Sequence, residues 1–498
     1  MRRGYLVACG VVLCLGAAGT AVSWSPGPSW ADDSLLAAEG GSFAQNLVDA
    51  LQNDSDALSS ISPLLPNFFD ANVDGAREDF AAGAAPTGQP VDYAISELPL
   101  TAAEMATAAQ NNRSFAYVPY AAFPVDIGAV VLCSNATTIA PSDFCGPLQV
   151  TAEQLAQIFT SAVVRWNDPV LTQNNPSLAG TIDSNLMARN EVQPTAVSLA
   201  IETYLEGDHA AQQTWQSYLT QNNISNFTPT DVWPQNTTAL SGGDSTMANT
   251  LVPLNEQATP PAPISNPQNW DNKGTIGALP ADWVGAPRNI PTVAVQNAAG
   301  AFVMPTVAAM NAALAHATMD PKTNLVTFNP STTDQAAYPI PVMSYLIVPT
   351  SGLGATKAKA LSGFIRFILG MKGQALVQSM GAAPVTTAMV TAGMSVADQV
   401  AAEAAPSTTT TTTTPAGGST TTSTTAALAS TSAQGGGSTA GGGGSGSGAG
   451  TPATDSGSSL AFTGGLPWPG LVGSVLLVTI GFTGRRVLRR RLVHGSPP

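Results

Sequence analysis

The composition of this chain changes abruptly near residue 405. From about 406 to 459 the sequence is almost entirely Thr, Ser, Gly, Ala and Pro, and threonine fills every position from 408 to 414. Such a segment cannot bury enough apolar surface to offset the entropy of ordering, so the composition predicts a disordered stalk. The stalk limits any large folded core to the residues that precede it.

Three short elements follow the stalk. They are the pentapeptide LAFTG at 460–464 (Leu460, Ala461, Phe462, Thr463 and Gly464), an uncharged run at 466–484 and an arginine-rich tail at 485–498. This order resembles the sorting signal of actinobacterial cell-wall proteins, which implies that a sortase cuts after Thr463 and joins it to the envelope. A plain C-terminal transmembrane segment with the arginines in the cytoplasm is the alternative.

The N-terminal residues 1–31 predict a secretory signal peptide. Two arginines precede an apolar run at 6–22 that is short for a bilayer span, and Ser29 and Ala31 place small residues at −3 and −1 of a cleavage site before Asp32. An uncleaved anchor is the alternative. Both ends of the chain therefore predict an extracellular protein that is anchored to the cell wall or the membrane.

The charge of the chain argues against nucleic-acid binding. The net charge is −14, and only 10% of the residues are charged. Seven of the 18 basic residues and none of the 32 acidic ones lie in the signal peptide and the tail, so the part between them carries −21. A phosphate backbone requires a clustered cationic face, which this composition does not provide.

Enzymatic and metal-binding signals are absent from the sequence. The chain has three histidines and contains no Walker loop, no GxSxG elbow and no HExxH motif. We therefore expect no catalytic residues, no metal and no cofactor.

The cysteines predict one disulfide. Cys9 and Cys14 leave with the signal peptide, so Cys133 and Cys145 are the pair that remains in an exported chain. A redox-active thiol pair is the less favoured alternative, because neither a CxxC spacing nor a nearby histidine supports it.

Between about 40 and 400 the sequence alternates strand-like runs with helical patterns, which is typical of an α/β protein. Strands are predicted at 91–97, 127–133 and 344–348. Thr151 and Gln154 have the spacing of a capping box that begins a helix. A later helix is predicted by apolar residues at i, i+3, i+4 and i+7, which are Leu361, Phe364, Ile365 and Ile368.

Several segments in this region are similar to a known family. They include LQVTAEQLAQIFTSAVVRWNDPVL (148–171), GTIGALPADWV (274–284) and VQNAAGAFVMPT (295–306), and the most specific elements are Trp166-Asn167-Asp168-Pro169 and Gln296-Asn297-Ala298. In order and in coverage the region resembles the PstS family, the phosphate-binding solute receptors of ABC importers, in its actinobacterial form.

The resemblance implies a type II periplasmic-binding-protein-like fold over 40–400, in which hinge-joined α/β lobes enclose a ligand cleft. Lobe 1 is expected at about 40–130 plus 295–400, and lobe 2 at about 131–294. It also implies an ABC permease as the partner.

The resemblance places candidate ligand-binding residues on three loops of lobe 1. Ser42 and Phe43 match the first anion-binding turn, although Gly-Ser before a helix is also an ordinary N-cap. Asp74 and Gly75 occupy the second loop, where an acidic residue is unfavourable for an anion and Arg77 either offsets or pairs with it. Ser96 precedes Glu97, which is placed to accept a proton from the ligand.

The fourth candidate segment is Arg189-Asn190-Glu191-Val192-Gln193-Pro194-Thr195. The family pattern there is Arg-Ser-Asp-x-Ser-Gly-Thr, which supplies a guanidinium fork and hydroxyls to the anion. Pro194 has no N–H, so one backbone donor is lost, whereas the amide of Gln193 can still donate. The same proline is also well suited to the first turn of a helix.

Two functions remain open at this stage. The first is an envelope-tethered receptor that binds phosphate or a related small oxyanion without chemistry. The second is a surface-displayed interaction or adhesion module that keeps the fold but has lost phosphate binding. The wall-sorting signal favours the second, since covalent attachment restricts a receptor that must reach a permease.

Overall fold

The computed structural model describes residues 36–54, 69–70, 73–86, 88, 90–133, 143–181, 185–191, 194–234, 239–240, 243–252, 254–255, 262–263 and 273–403. The predicted signal peptide (1–31), stalk (406–459), sorting motif (460–464), transmembrane segment (466–484) and basic tail (485–498) lie outside these residues and stay predictions.

The described residues form strands and helices in alternation. The strands are β1 (Ala38–Gly40), β2 (Phe69–Asp70), β3 (Tyr93–Ser96), β4 (Phe115–Val130), β5 (Gln149–Val150), β6 (Met187–Glu191), β7 (Ala239–Leu240), β8 (Leu254–Asn255), β9 (Ala262–Pro263), β10 (Thr275–Pro280), β11 (Ala294–Gln296), β12 (Phe302–Val303), β13 (Thr318–Met319), β14 (Val326–Thr327), β15 (Pro341–Pro349) and β16 (Ala383–Pro384).

The α-helices are α1 (Gln45–Asn53), α2 (Val73–Ala82), α3 (Ala102–Gln110), α4 (Ala152–Phe159), α5 (Pro169–Thr172), α6 (Ala196–Glu206), α7 (His209–Gln221), α8 (Gly243–Leu251), α9 (Val307–Ala315), α10 (Ala355–Leu369), α11 (Met371–Ser379) and α12 (Thr387–Ala402). Short 3₁₀ turns lie at Ser42–Ala44, Pro176–Gly180 and Ala281–Trp283.

One long strand, β4, connects the two halves of the main sheet. The strand order is β2-β1-β3-β15-β4-β10-β6-β7, with β16 also paired to β4. The residues of β4 up to Pro124 pair antiparallel with β15, and those from Val125 onward pair antiparallel with β10. The first half of the sheet is therefore built from β1–β3 and β15, the second from β10, β6 and β7. This α/β, two-lobed architecture confirms the predicted fold class, whereas the lobe limits stay predictions.

The strand predicted at 127–133 corresponds to β4, which begins at Phe115, twelve residues earlier than predicted, and ends at Val130. Two prolines explain the discrepancy, because proline cannot donate to a ladder and normally argues against a central strand. Pro119 lies opposite the register shift between Ser344 and Tyr345, and Pro124 is the last residue that pairs with β15. Both prolines thus occupy positions where the ladder is interrupted or changes partner.

The predicted helix signals are confirmed. Thr151 accepts a hydrogen bond from the Gln154 N–H, and the Gln154 side chain accepts one from the Thr151 N–H, which completes the capping box of α4. The four predicted apolar residues of α10 are all buried in the main core. Each such side chain contributes about 1.5–3 kcal/mol by leaving water, so the apolar stripe holds α10 against the sheet.

Cys133 and Cys145 form a disulfide, as predicted, with their Cα atoms 5.0 Å apart. Within the described residues, no single helix is long and apolar enough to cross a bilayer. The pair α10 and α11, bent by 59° where they meet, reaches that threshold only when both are taken together.

Candidate functional site

The turn after β1 holds Ser42 against the start of α8. The Ser42 Oγ donates to Oδ2 of Asp244 at 2.7 Å, and the Asp244 N–H lies 3.1 Å from the same Oγ. The Trp283 Nε1 donates to the Ser42 carbonyl at 2.8 Å. The hydroxyl that was predicted to hold an anion is therefore hydrogen bonded to a carboxylate from the other half of the sheet.

Gly243 makes this close approach possible. Its φ is +72°, and a Cβ at this position would lie 2.8 Å from the Ser42 Oγ. Only glycine adopts that conformation without strain and leaves room for the hydroxyl. Asp244 was not predicted from the sequence, although the Gly-Gly-Asp run at 242–244, where α8 begins, is a signal for a helix N-terminus that approaches another segment closely.

The Phe43 side chain belongs to the core, where its ring lies edge-on to Phe123 with centroids 5.3 Å apart. The Ser96 hydroxyl is fully buried and donates to the Leu98 carbonyl at 2.8 Å. These contacts hold the Phe43 ring in the core and the Ser96 hydroxyl at the end of β3, and they do not bring either side chain to Asp244.

Glu97 lies at the carboxyl end of β3, almost fully buried. Its Oε1 accepts from the Ser344 Oγ at 2.7 Å, and the Tyr120 hydroxyl lies 3.0 Å from the same Oγ. Burial, reinforced by the charge of Asp244, raises the pKa of Glu97 to about 7, although the bond from Ser344 opposes this shift. At neutral pH this carboxyl is therefore divided between its neutral and ionised forms.

The prediction that Asp74 and Gly75 lie on a second loop is wrong, because both residues belong to α2. Side chains of α2 and α3 form an ion-pair network there. The Arg77 Nη2 lies 2.5 Å from Oδ1 of Asp74, and its Nε lies 3.2 Å from Oε2 of Glu104. Arg77 thus pairs with Asp74, one of the two roles left open for it. Gly75 lies within the first turn of α2. Burial is the main cause that raises the pKa of Asp74.

Arg189 lies on β6, where its Cα is opposite Gly277 of β10. Its Nε is buried and has no hydrogen-bond partner among the described residues. Thr195 is the N-cap of α6 and accepts from the Ser198 N–H at 3.0 Å. Gln193, the other candidate of this segment, lies outside the described residues. The structure therefore places an unsatisfied guanidinium donor beside a capped helix N-terminus.

Arg189, Glu191 and Thr195 line one small cavity with Ser198 and Trp233. Its volume is about 10 Å³, which is close to the minimum for a single water molecule. Burial, together with the charge of Asp244, raises the pKa of Glu191 to about 9, so this side chain is a neutral acid at pH 7 and can donate a hydrogen bond.

Asp244 links the candidates of the two halves. It binds Ser42 directly, and its charge raises the pKa of Glu97, Glu191 and Asp282. Asp244, which was not predicted, therefore acts on the predicted residues Ser42 and Glu97 and on Glu191, which lines the small cavity with Arg189 and Thr195. Among the described residues, no group of three or more His, Cys, Asp or Glu side chains is arranged to hold a metal ion.

Comparison with known proteins agrees with this architecture. Two curated proteins of Xylella fastidiosa, from strains Temecula1 and 9a5c and both named phosphate-binding protein PstS, are 24% identical over 278 residues. The match covers 56% of this chain and 64% of each relative, so it spans just under two thirds of the length of these curated relatives.

Among solved structures, the phosphate-bound periplasmic phosphate-binding protein PfluDING is 15% identical with a TM-score of 0.51. The match covers 72% of this chain and 92% of that one. A phosphate-binding protein from Stenotrophomonas maltophilia is 14% identical, with the same TM-score and coverage of 72% and 93%. At these identities the likeness establishes the periplasmic-binding-protein-like fold.

A family model for the PBP superfamily domain matches residues 71–372, from the start of α2 to the start of α11 and more than half of the chain. With the strand order and the lobes of the sheet described above, this match assigns the family: the chain belongs to the PBP superfamily.

Proposed function

We propose that this protein is a solute-binding receptor that holds phosphate or a related small oxyanion between its lobes and performs no chemistry on it. The observation that carries the proposal is the buried Nε of Arg189, which has no partner among the described residues and lies beside the N-terminus of α6. A guanidinium donor and a helix N-terminus are the groups that bind oxyanions in proteins. The similarity to proteins named phosphate-binding supports the choice of ligand.

In this proposal each candidate has a role. Arg189 supplies the guanidinium fork, Thr195 and Ser42 supply hydroxyls, and Glu97 accepts the proton of the ligand in its ionised form. Glu191, which is a neutral acid at pH 7, can donate to an anion and need not repel it. The cavity of about 10 Å³ requires the cleft to open before an anion enters, and opening breaks the bond between Ser42 and Asp244.

The second candidate function is a surface-displayed interaction or adhesion module that has lost phosphate binding. A specific observation favours it: the carboxylate of Asp244 already takes the Ser42 hydroxyl, in the position where an oxyanion is expected. An internal carboxylate at this point competes with the ligand and repels it. In this alternative the chain has no permease partner.

Calorimetric titration of the purified protein with phosphate, sulfate and acetate tests the proposal. We expect heat on addition of phosphate, and affinity lowered about ten- to a hundredfold or more in Arg189→Gln, because a hydrogen bond to a charged group is worth about 1.5–3 kcal/mol. Arg366→Gln, which removes an exposed arginine paired with Asp398, is the matched control and should bind as the unmodified protein does. No heat at millimolar phosphate contradicts the receptor and favours the display module.

We further propose that the receptor is exported and tethered to the envelope. The signal peptide at 1–31, the LAFTG motif, the apolar run at 466–484 and the basic tail support this localisation. Mass spectrometry of the mature protein should find a C-terminus at Thr463 if a sortase acts. An intact tail beyond residue 485 contradicts sorting and favours the plain membrane anchor.

A further inference from the structure

A second, much larger cavity lies on the opposite side of α6 from Arg189. Its volume is about 420 Å³, within the range of about 300–1,000 Å³ that is typical of small-molecule pockets. Its wall is mostly apolar and comes from α6, β14, β15 and the loop between them, including Leu199, Ala200, Phe328, Tyr338, Val342 and Met343.

The two cavities share α6 but use different faces of it. Thr195, Ser198 and Ile201 line the small cavity at Arg189, whereas Ala196, Leu199, Ala200 and Thr203 line the large one. Residues three and four apart share a helix face. Ser198 and Ile201 therefore lie on one side of α6 and the large-cavity set on another, while Thr195 precedes the helix as its N-cap. Arg189 does not line the large cavity, and a ligand there is not held by the guanidinium.

The ionisable chemistry of the large cavity is that of Glu97. Among the described residues that line it, Glu97 is the only aspartate, glutamate, lysine, arginine or histidine. The Tyr204 and Tyr338 hydroxyls donate to the carbonyls of Gln296 at 2.6 Å and Val125 at 2.7 Å, so these residues offer mainly their rings.

The polar side chain of Asn297, which also lines the cavity, is likewise engaged. Its Nδ2 donates to the Ala337 carbonyl at 3.0 Å, and its Oδ1 accepts from the Ala301 N–H at 3.0 Å. The cavity therefore combines apolar and aromatic walls with one acidic residue in its lining.

Apolar and aromatic walls together with the carboxylate of Glu97 favour a cationic ligand over an anionic one. A carboxylate in apolar surroundings lacks the hydration that it has in water, and a cation within hydrogen-bond distance replaces part of it. Tyrosine and phenylalanine faces attract a cation further through their ring quadrupoles. An anion meets the opposite situation, because the described lining residues supply no cation and the carboxylate repels it.

We propose that this cavity binds an organic cation, an amine with an apolar or aromatic body, whose ammonium group pairs with Glu97. The cavity shares Glu97 with the proposed oxyanion site, but its other lining residues differ from Arg189 and Thr195. The body of the ligand fills the space between α6 and β15, and the ammonium donates to the carboxylate of Glu97.

Three probes of similar shape and different charge test the site: 2-phenylethylamine, 2-phenylethanol and phenylacetate. Titrations at about pH 8 keep the Glu97 carboxyl, whose pKa is about 7, largely ionised. We expect the amine to bind at least about tenfold more tightly than the alcohol, and phenylacetate to give no heat. Equal affinity for the three probes overturns the proposal.

Variants separate this site from the oxyanion site. Ala200→Phe fills the cavity and should abolish amine binding but keep the phosphate response, whereas Arg189→Gln should weaken phosphate binding and keep amine binding. Glu97→Gln should weaken the amine about tenfold or more and leave the alcohol unchanged. Thr203→Phe, at an exposed position of the cavity wall, repeats the blocking test if Ala200→Phe does not fold.

Ala106→Phe, the same substitution at an exposed position of α3, is the matched control and should bind the amine normally. Amine binding that survives in both cavity variants overturns the proposal. If the unmodified protein binds the amine but gives no heat with phosphate, only the oxyanion receptor is contradicted.

Discussion

Helix α6 separates two regions that differ in both charge and space. On one side, Thr195 and Ser198 lie with Arg189 around a cavity of about 10 Å³. On the other side, Ala196, Leu199, Ala200 and Thr203 face a cavity of about 420 Å³ whose acidic group is Glu97. The guanidinium of Arg189 therefore lies at the small cavity, whereas the large cavity is lined by the acidic residue Glu97.

The difference follows from which residues each face packs against. Ile201 is buried and lines the small cavity together with Arg189 and Trp233, so large side chains surround this side of α6. The other face consists mainly of small residues and meets the wall of β15 across empty volume. One helix can thus serve an anion at its N-terminus and an apolar ligand along its side. The following predictions test that separation.

The largest expected effect is on stability. Ile201→Ala removes a side chain that is 1% exposed and tightly surrounded, and should lower the free energy of unfolding by about 2–5 kcal/mol. Leu199→Ala, on the cavity face, should cost clearly less because that side chain already adjoins empty space. Urea unfolding of both variants measures the difference. Equal losses would show that the two faces are packed alike.

The next largest effect is the pH dependence of the free energy of unfolding that Glu191, at the small cavity, is expected to cause. The pKa of Glu191 is about 9 in the folded protein, above its ordinary value, so the folded state holds this proton more tightly than the unfolded chain. Its contribution is fully present below the ordinary pKa of about 4.5 and is lost as pH rises through about 9, at up to about 1.4 kcal/mol per pH unit.

Glu191→Gln should therefore flatten the decline in unfolding free energy between about pH 6 and 9, as followed by urea unfolding at several pH values. Glu78→Gln, at an exposed position of α2, is the control and should leave the profile unchanged. If the profile keeps its slope in Glu191→Gln, another group carries the pH dependence of this side.

The smallest effect concerns the charge between the two regions. Asp244→Asn removes the carboxylate whose charge raises the pKa of Glu97 and Glu191, and it retains an oxygen that can accept from Ser42. Phosphate should bind roughly tenfold more tightly, about 1.4 kcal/mol, in calorimetric titration. Asp398→Asn, whose side chain is 71% exposed, is the control. Unchanged phosphate affinity in Asp244→Asn would show that the Asp244 carboxylate does not repel the bound anion.

Local signals in the sequence predicted much of the fold. The capping box at Thr151 and Gln154, the apolar stripe of α10 and the pairing of the two cysteines were all predicted and are present. The 16-residue strand β4 was not predicted in full, because Pro119 and Pro124 break the local pattern. The prolines are tolerated because the pairing with the neighbouring strands is interrupted or changes partner at these positions. Such pairing cannot be predicted from the residues next to the prolines in the sequence.

The candidate site divides in the same way. Arg189 and Thr195 were predicted from one short segment, and the structure places both on the same cavity. Asp244 was missed because it meets Ser42 from 202 residues away. The cavity lined by Leu199 and Val342 was missed for the same reason, since its walls come from distant segments.

The start of α4, the apolar stripe of α10, the disulfide and the acidity of the chain could be predicted from the sequence, because these depend on residues a few positions apart or on composition. The presence of two different cavities on either side of α6 depends on tertiary packing. Packing brought a carboxylate to the predicted anion-binding hydroxyl and left a cavity on the other face of α6. Electrostatic fields and empty volume arise only when distant segments meet, and no local pattern records them.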